Sequence, residues 1–374
     1  MSKAAELAKM GEVLTNSQIG GRRNIVINGA FQIAQRGTSF TGVSNGDNGY
    51  YLDRFKFAES GTSGATYTIT QATDGPSGFG NSMKFDCTTA DTSLGADEQL
   101  RIISDYEGLD LQQLKKGTSD AEKVTLSFYV KSNLTGTAIV TIYDTPNSRH
   151  ISKSYTIDSA NTWERKILTF DGDTSGAIDN DNTTGFRIEW HLTAGANATS
   201  GTLATSWAGF TAANQAVGQT INLATSTDNN FFITGVQLEI GSQATSFEHR
   251  SFGEEEELCK RYFVKHKAVS PYDRFALGTN VTTDDAAFLF KFYPAMRGIP
   301  TLTIGTLSHL CVTDADGTNE AIDTAPVIDT AADSNLSVIV YCADITNNTL
   351  TAGDASFLAA NNNVDAFLAF DSEL

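Results

Sequence analysis

Apolar and polar residues alternate one for one through stretch after stretch of this chain. Val124, Leu126, Phe128 and Val130 are separated by Thr125, Ser127 and Tyr129; Phe186, Ile188, Trp190 and Leu192 by Arg187, Glu189 and His191. The same period runs through Ala65, Tyr67 and Ile69, through Met83, Phe85 and Cys87, and through Val236, Leu238 and Ile240. Successive side chains of an extended chain point to opposite faces, so each stretch is a strand with one face in a core and one wet. Turn chemistry separates the strands at residues 73–76, 133–136, 144–147 and 171–176. Only residues 105–116 read as a helical turn. About eight to ten strands over roughly 225 residues predict a two-sheet β-sandwich of jelly-roll type. Its first strand, residues 25–33, is expected beside its last, residues 232–240.

The fold class is therefore mainly β, with breaks that set the domains. Residues 1–23 carry Ala4, Leu7, Val13 and Leu14 at helical spacing and read as a helix for attachment or trimerisation. The sandwich occupies residues 24–250, and residues 251–263 form a linker helix. Ser251 with Glu254 fits a capping box, Glu254–Glu257 suit the positive end of the helix dipole, and Lys260 and Arg261 suit the negative end. Glu248, His249 and Arg250 read as a polar network at this junction. Residues 264–374 form a second, smaller β domain. Its strand around Val338 and Val340 also carries Ile339 and Tyr341, so it is apolar on both faces. A strand covered on both sides needs more partner surface than such a domain supplies, which predicts burial against other copies of the chain.

With 44 acidic and 26 basic residues in 374, the formal charge is −18. Such a surface repels duplex nucleic acid and anionic membranes. No stretch approaches the roughly 20 apolar residues of a membrane helix, and MSKAAELAKM lacks the apolar centre of a signal peptide. Cys87, Cys259, Cys311 and Cys342 show no metal-type spacing. Cys311 and Cys342 can pair only if their strands are neighbours.

Motifs for chemistry are sparse. GxSxG and HExxH are missing, and the five histidines are scattered singly. Acids abound, but spacing alone selects no facing pair for glycoside hydrolysis. Asp171, Asp173 and Ser175, with Asp179 and Asp181 nearby, resemble the opening of a calcium loop, although position twelve is Asn182 rather than Glu. Asp314, Asp316, Asn319 and Glu320 form a second acidic loop. Turn formation is the plainer reading of each loop, with Ca²⁺ left open. Trp163 and Trp190 read as core. Trp207 lies with Phe210 in a long loop without periodicity and is the leading candidate for stacking on a sugar, followed by Tyr50 and Tyr51.

One family resemblance runs through residues 24–374. NIVINGAFQIAQRG and YYLDRFKF, NTWERKILTFDGDTSG and GFRIEWHLTAG, ITGVQLEIGSQATSFEHRSFGEE followed by LCKRYF, and FYPAMRGIPTLTI with DAFLAFDSEL resemble, in order, segments of phage tail-fibre-like virion proteins. The resemblance implies a homotrimeric virion appendage, assembled in the host cytoplasm and attached to other virion proteins through its N-terminal segment. It implies a carbohydrate-binding type of jelly roll that meets a host-surface glycan or receptor without catalysis. A purely structural virion protein and a glycan depolymerase are the alternatives.

Overall fold

A computed structural model describes Lys3 and residues 22–330, 333–346 and 349–374. The helix expected over residues 1–23 lies outside the described residues but for Lys3, Arg22 and Arg23. The chain divides into two compact units, one running to Glu255 and including Leu374, the other Glu256–Glu373.

The first unit is a β-sandwich. Its strands in chain order are β1 (Ser39–Ser44), β2 (Gly49–Leu52), β3 (Phe55–Ser60), β4 (Thr66–Ala72), β5 (Ser82–Thr89), β6 (Gln99–Glu107), β7 (Val124–Ser132), β8 (Gly136–Asp144), β9 (Arg149–Ile157), β10 (Glu164–Phe170), β11 (Thr184–Ala194), β12 (Ala208–Gly209) and β13 (Asn230–Ile240). One sheet has six strands in the order β1-β4-β5-β13-β7-β10, and the other has seven in the order β12-β9-β8-β11-β6-β3-β2. The alternating apolar residues meet between them. Trp190 of the wider sheet packs edge-on against Phe128 of the narrower one, ring centres 5.9 Å apart, and Phe57 stacks on Phe85 at 6.4 Å. Trp190 is fully buried, and its truncation to Ala would cost about 3–5 kcal/mol. The helical turn expected within residues 105–116 is Gly108–Leu111, continued as a 3-10 turn.

Residues 25–33 do run beside β13, yet they form no regular strand. Asn28 and Phe31 take left-handed backbone angles (φ 58° and 52°) that interrupt a ladder. Single bonds tie the segment down instead, Ile25 N–H to Leu238 O (3.0 Å) and Val236 N–H to Gly29 O (2.9 Å). The approach is so close that a Cβ on Gly29 would lie 2.1 Å from the Val236 oxygen, so only glycine fits there. Gly235, at φ 61°, supplies the bulge where the register of β13 against β7 shifts between Thr234 and Gln237.

Helix α1 (Phe252–Lys260) starts as its sequence directs. The Ser251 N–H donates to Glu254 Oε2 (3.1 Å) and the Glu254 N–H to Ser251 Oγ (3.3 Å). The bonds from Ser251 hold the Glu254 carboxyl below its ordinary range.

The second unit holds a three-stranded sheet with Phe367–Asp371 between Phe263–Lys267 and Thr301–Ile304, and a seven-stranded sheet. Phe288, Phe290, Val338, Val340, Leu358 and Phe370 form its core. In the larger sheet the strand of Cys311 lies four places from that of Cys342, about 19 Å at a strand spacing of about 4.8 Å. A disulfide needs Cα atoms within about 7 Å, and both thiols are free and buried.

Candidate functional site

The strands of the wider sheet in the sandwich turn a second face away from the core. Their register lines up side chains across the strands. His150 of β9 opposes Tyr143 of β8, Tyr143 opposes Arg187 of β11, and Arg187 opposes Asp105 of β6. The next row contains Ser152, Thr141, Glu189, Ile103, Lys56 and Tyr50, with Tyr50 on β2 paired to Lys56 on β3. Arg101 opposes His191 one row further.

Aromatic rings stand at both ends of this strip. Phe210, 39% exposed, lies edge-on to Tyr143 (4.9 Å) and to His150 (5.3 Å). At the other end the Tyr50 hydroxyl lies 3.1 Å from Asp105 Oδ2 and 2.9 Å from the Leu374 oxygen. Arg36 and Lys56 approach the Tyr50 ring at 5.6 and 6.0 Å, and Arg187 approaches Tyr143 at 6.0 Å. The loop after β11 roofs the strip near β8 and β9, where Ala198 and Ala216 pack on Ile139 and the Ser152 N–H donates to Ala204 O (2.7 Å). Tyr50, Lys56, Tyr143 and Arg187 remain half-buried.

The polar groups between the rings are incompletely paired. Arg101 bonds Glu189 at 3.2 Å, and Thr141 Oγ1 lies 3.0 Å from His191 Nε2 and 2.9 Å from Ser152 Oγ. Arg187 Nε and Asp105 Oδ1 are 3.0 Å apart but out of line for a hydrogen bond, so neither has a hydrogen-bond partner within the described chain. The same holds for Arg101 Nε, both ring nitrogens of His150, and His191 Nδ1. Asp105 is 1% exposed and both histidines are fully buried. A buried polar atom without a partner costs about 1–3 kcal/mol. Burial pushes the Asp105 carboxyl above its ordinary range, against the pull of Arg187, Arg54 and Lys56. Burial also drives the His191 imidazole down to about 4, so it is neutral at pH 7.

Of the residues singled out from the sequence, Phe210 and Tyr50 belong to this strip. Trp207 does not: its Nε1 donates to Asp171 O (2.7 Å) and its ring lies 5.1 Å from the Lys116 ammonium. The cleft it lines has a volume of ≈ 20 Å³, room for about one water and none for a sugar ring. Tyr51 packs against Phe40 and Phe57 and gives its hydroxyl proton to Asp47 O. Trp163, expected in the core, lies instead outside the narrower sheet, its Nε1 on Asp74 (3.0 Å) and its ring beside Phe232 and Lys131. It precedes β10 rather than standing in phase within it. His249 likewise joins no polar network among the described residues but packs tilted against Phe79 and edge-on to Phe247, while Glu248 and Arg250 do bond the backbone near Asn24.

The calcium loop is also corrected. Lys116, its side chain 5% exposed, sends its ammonium into the loop, bonding Asp144, Asp173 (3.0 Å) and the carbonyls of Ser175 (3.1 Å) and Gly176 (2.7 Å). Arg149 grips Asp173 through two bonds of 2.7 and 2.9 Å. Burial works the other way, but these bonds hold the Asp173 carboxyl below its ordinary range. Asp171 pairs with Lys123 (2.7 Å), Asp181 accepts from Thr183, and the Asp179 carbonyl accepts from Gln112. A protein cation therefore fills the place a metal would take, and the described residues contain no cluster of three or more acid, His or Cys groups suited to a metal. Asp314 and Asp316 accept from the Thr318 N–H in a tight turn.

No family model matches the sequence, and no curated protein matches it. Partial likenesses are found among solved structures. An enzymatically active domain of tailspike protein 4 from bacteriophage CBA120 matches 58% of this chain at 13% identity and TM-score 0.30, and the match spans 21% of that chain. A putative sugar-binding protein from Bacteroides thetaiotaomicron matches 59% of this chain and 100% of its own, at 12% identity and TM-score 0.30. A family 11 carbohydrate-binding module from Clostridium thermocellum matches 57% of this chain and 98% of its own, at 16% identity and TM-score 0.27.

Proposed function

We propose that this chain binds a glycan on the outer face of the seven-stranded sandwich sheet, without cleaving it, as a subunit of a phage virion appendage. The observation that carries the binding reading is the strip from Tyr50 to Phe210. It has aromatic rings at its ends for sugar faces, and between them the half-buried side chains of Lys56 and Arg187 for hydroxyls. Its two acids are each held by an arginine, Glu189 by Arg101 and Asp105 by Arg187, which suits fixed recognition rather than proton transfer. The virion setting is supported by the tail-fibre-like segments of the sequence.

Assembly as a homotrimer belongs to the same reading. Leu277, Leu289, Val327 and Leu336 of the second unit are 60%, 48%, 56% and 59% exposed, an apolar surface that further copies of the chain would cover. Joining three weak sites in one particle raises avidity by orders of magnitude. The test is a glycan panel probed with the full chain. Saturable binding that Tyr143→Ala weakens roughly three- to tenfold supports the reading, and a panel without binders, or new reducing ends, overturns it. Light scattering should give three times the chain mass, and a monomer would sink the trimer.

A further inference from the structure

Two fully buried histidines lie under the loop that supplies Phe210 to the strip. We propose that acid regulates this site: protonation of His150 and His191 releases the loop after β11, so that the strip is complete at neutral pH and loses its Phe210 end in acid. The link to binding rests on the glycan reading; the release itself does not.

Both rings stand on the outer side of the sheet, on β9 and β11, with β8 between them. His150 opposes Ala208 of β12 and meets the Phe210 ring at 5.3 Å. His191 opposes Ile139, on which Ala198 and Ala216 of the loop pack. Its Nε2 lies 3.0 Å from Thr141 Oγ1, and that hydroxyl reaches the Gln215 oxygen of the loop (3.3 Å). An imidazolium donates from both ring nitrogens. At three of the four no partner stands within hydrogen-bond distance in the described chain.

The loop brings no charge to answer a proton. Residues 192–227 contain no Asp, Glu, Lys, Arg or His. On the sheet side, the charged groups acting on the rings are Glu189, which favours the proton on both, and Arg101, which opposes it on His191. Glu189 is already bonded to Arg101 at 3.2 Å. Tyr143 and Arg187 continue the row of His150 across β8 and β11. A cation formed here is therefore desolvated and poorly compensated while the loop is closed.

The loop is the part that can yield. β9 pairs with β8 from Arg149 to Ile157. The loop holds β9 through the two-residue β12 and single bonds, Ser152 N–H to Ala204 O (2.7 Å) and Phe210 N–H to Ser148 O (2.8 Å). Opening it costs less than opening the sheet. Burial lowers both imidazoles, His191 to about 4, against about 6.5 in water. The open form thus takes up protons first. Each pH unit below 6.5 favours it by up to about tenfold per ring, until the closed form also ionises.

The experiment is hydrogen exchange on the full chain at pH 7 and 4.5, corrected for the intrinsic pH dependence of exchange. Protection within residues 195–220 should fall roughly tenfold or more, while β7 and β13 keep theirs. His150→Gln should reduce that fall, and the double variant His150→Gln/His191→Gln should hold it to about twofold. Unchanged protection in the parent chain, or a fall shared by β7 and β13, overturns the inference without recourse to a variant. A glycan found on the panel should bind the parent chain roughly three- to tenfold more weakly at pH 4.5, and the double variant equally at both. Tight binding in acid with flat exchange overturns the regulation and leaves glycan binding standing. Loop release with no glycan bound at either pH overturns the glycan reading and the regulation of binding, leaving the release.

Discussion

The two outer faces of the sandwich are built by the same alternation and have reached opposite ends. Outside the narrower sheet, residues 242–250 fold back and satisfy what the strands present. Gln237 donates to Glu239 (2.9 Å) and accepts from the Glu248 N–H (2.8 Å), and Thr245 caps Glu239 through its N–H and hydroxyl, both at 2.8 Å. Phe79, Phe247 and His249 close over Tyr129 and the bulge at Gly235. Outside the wider sheet, Ile103, Asp105, Glu189 and His191 are nearly fully buried as well, but Arg187, Asp105 and their neighbours keep atoms that the described chain does not bond. A sheet face whose polar groups are met by its own chain is closed; on the other face each buried unpaired atom costs about 1–3 kcal/mol.

The comparison breaks most readily at Arg101. Arg101→Ala leaves Glu189 buried and unpaired and should lower stability by about 3–5 kcal/mol in chemical denaturation. Arg165→Ala on the closed face, where the guanidinium reaches an exposed carbonyl of Thr245, should cost about 1 kcal/mol or less. Equal losses would remove the distinction between the faces.

A slightly smaller effect is expected from His191. Its imidazole ionises near 6.5 when unfolded and is held down to about 4 in the fold. The unfolded chain therefore takes up the proton first, and the stabilisation present above pH 6.5 is lost as pH falls towards 4. At about 1.4 kcal/mol per pH unit, the full span amounts to about 3 kcal/mol. Glu59, raised by burial to about 7, acts oppositely, losing stability as pH rises from its ordinary range. The measurement is thus a difference: the melting temperature of His191→Gln should depend less on pH between 6.5 and 4 than that of the parent chain.

Binding sharpens the contrast on a smaller scale. Tyr143→Ala and Phe210→Ala should each weaken glycan affinity roughly three- to tenfold, whereas Trp163→Ala on the opposite side should leave it unchanged. The reverse pattern in titration calorimetry would move the site to the Trp163 face. The smallest effect is reserved for calcium. Because Lys116 and Arg149 already engage Asp173, adding Ca²⁺ or EDTA should shift the melting temperature by less than about 1 °C; a shift of several degrees would reinstate the metal loop.

Much of this was legible from side-chain pattern. Alternation located the strands around Phe128, Phe186 and Val236, Ser251 with Glu254 marked the start of α1, and Phe210 and Tyr50 were readable as exposed aromatics near loops. The misreadings share one cause. The calcium-like loop looked empty because Lys116 lies 57 residues before Asp173, a separation in the chain that folding reduces to 3.0 Å. Trp207 lay in a loop of the right composition, but its partners, Asp171 and Lys116, come from other parts of the chain.

The sequence by itself determined which residues face inward and where strands stop, because those properties depend on neighbours one to four positions away. Only the tertiary structure decided that Tyr143, Arg187 and Asp105 stand abreast, since they come from β8, β11 and β6 and meet through cross-strand register. It also decided which outer face is closed. That outcome depends on whether a distant segment supplies partners for each polar group: residues 242–250 do so for one sheet, and the loop after β11 does so for only part of the other.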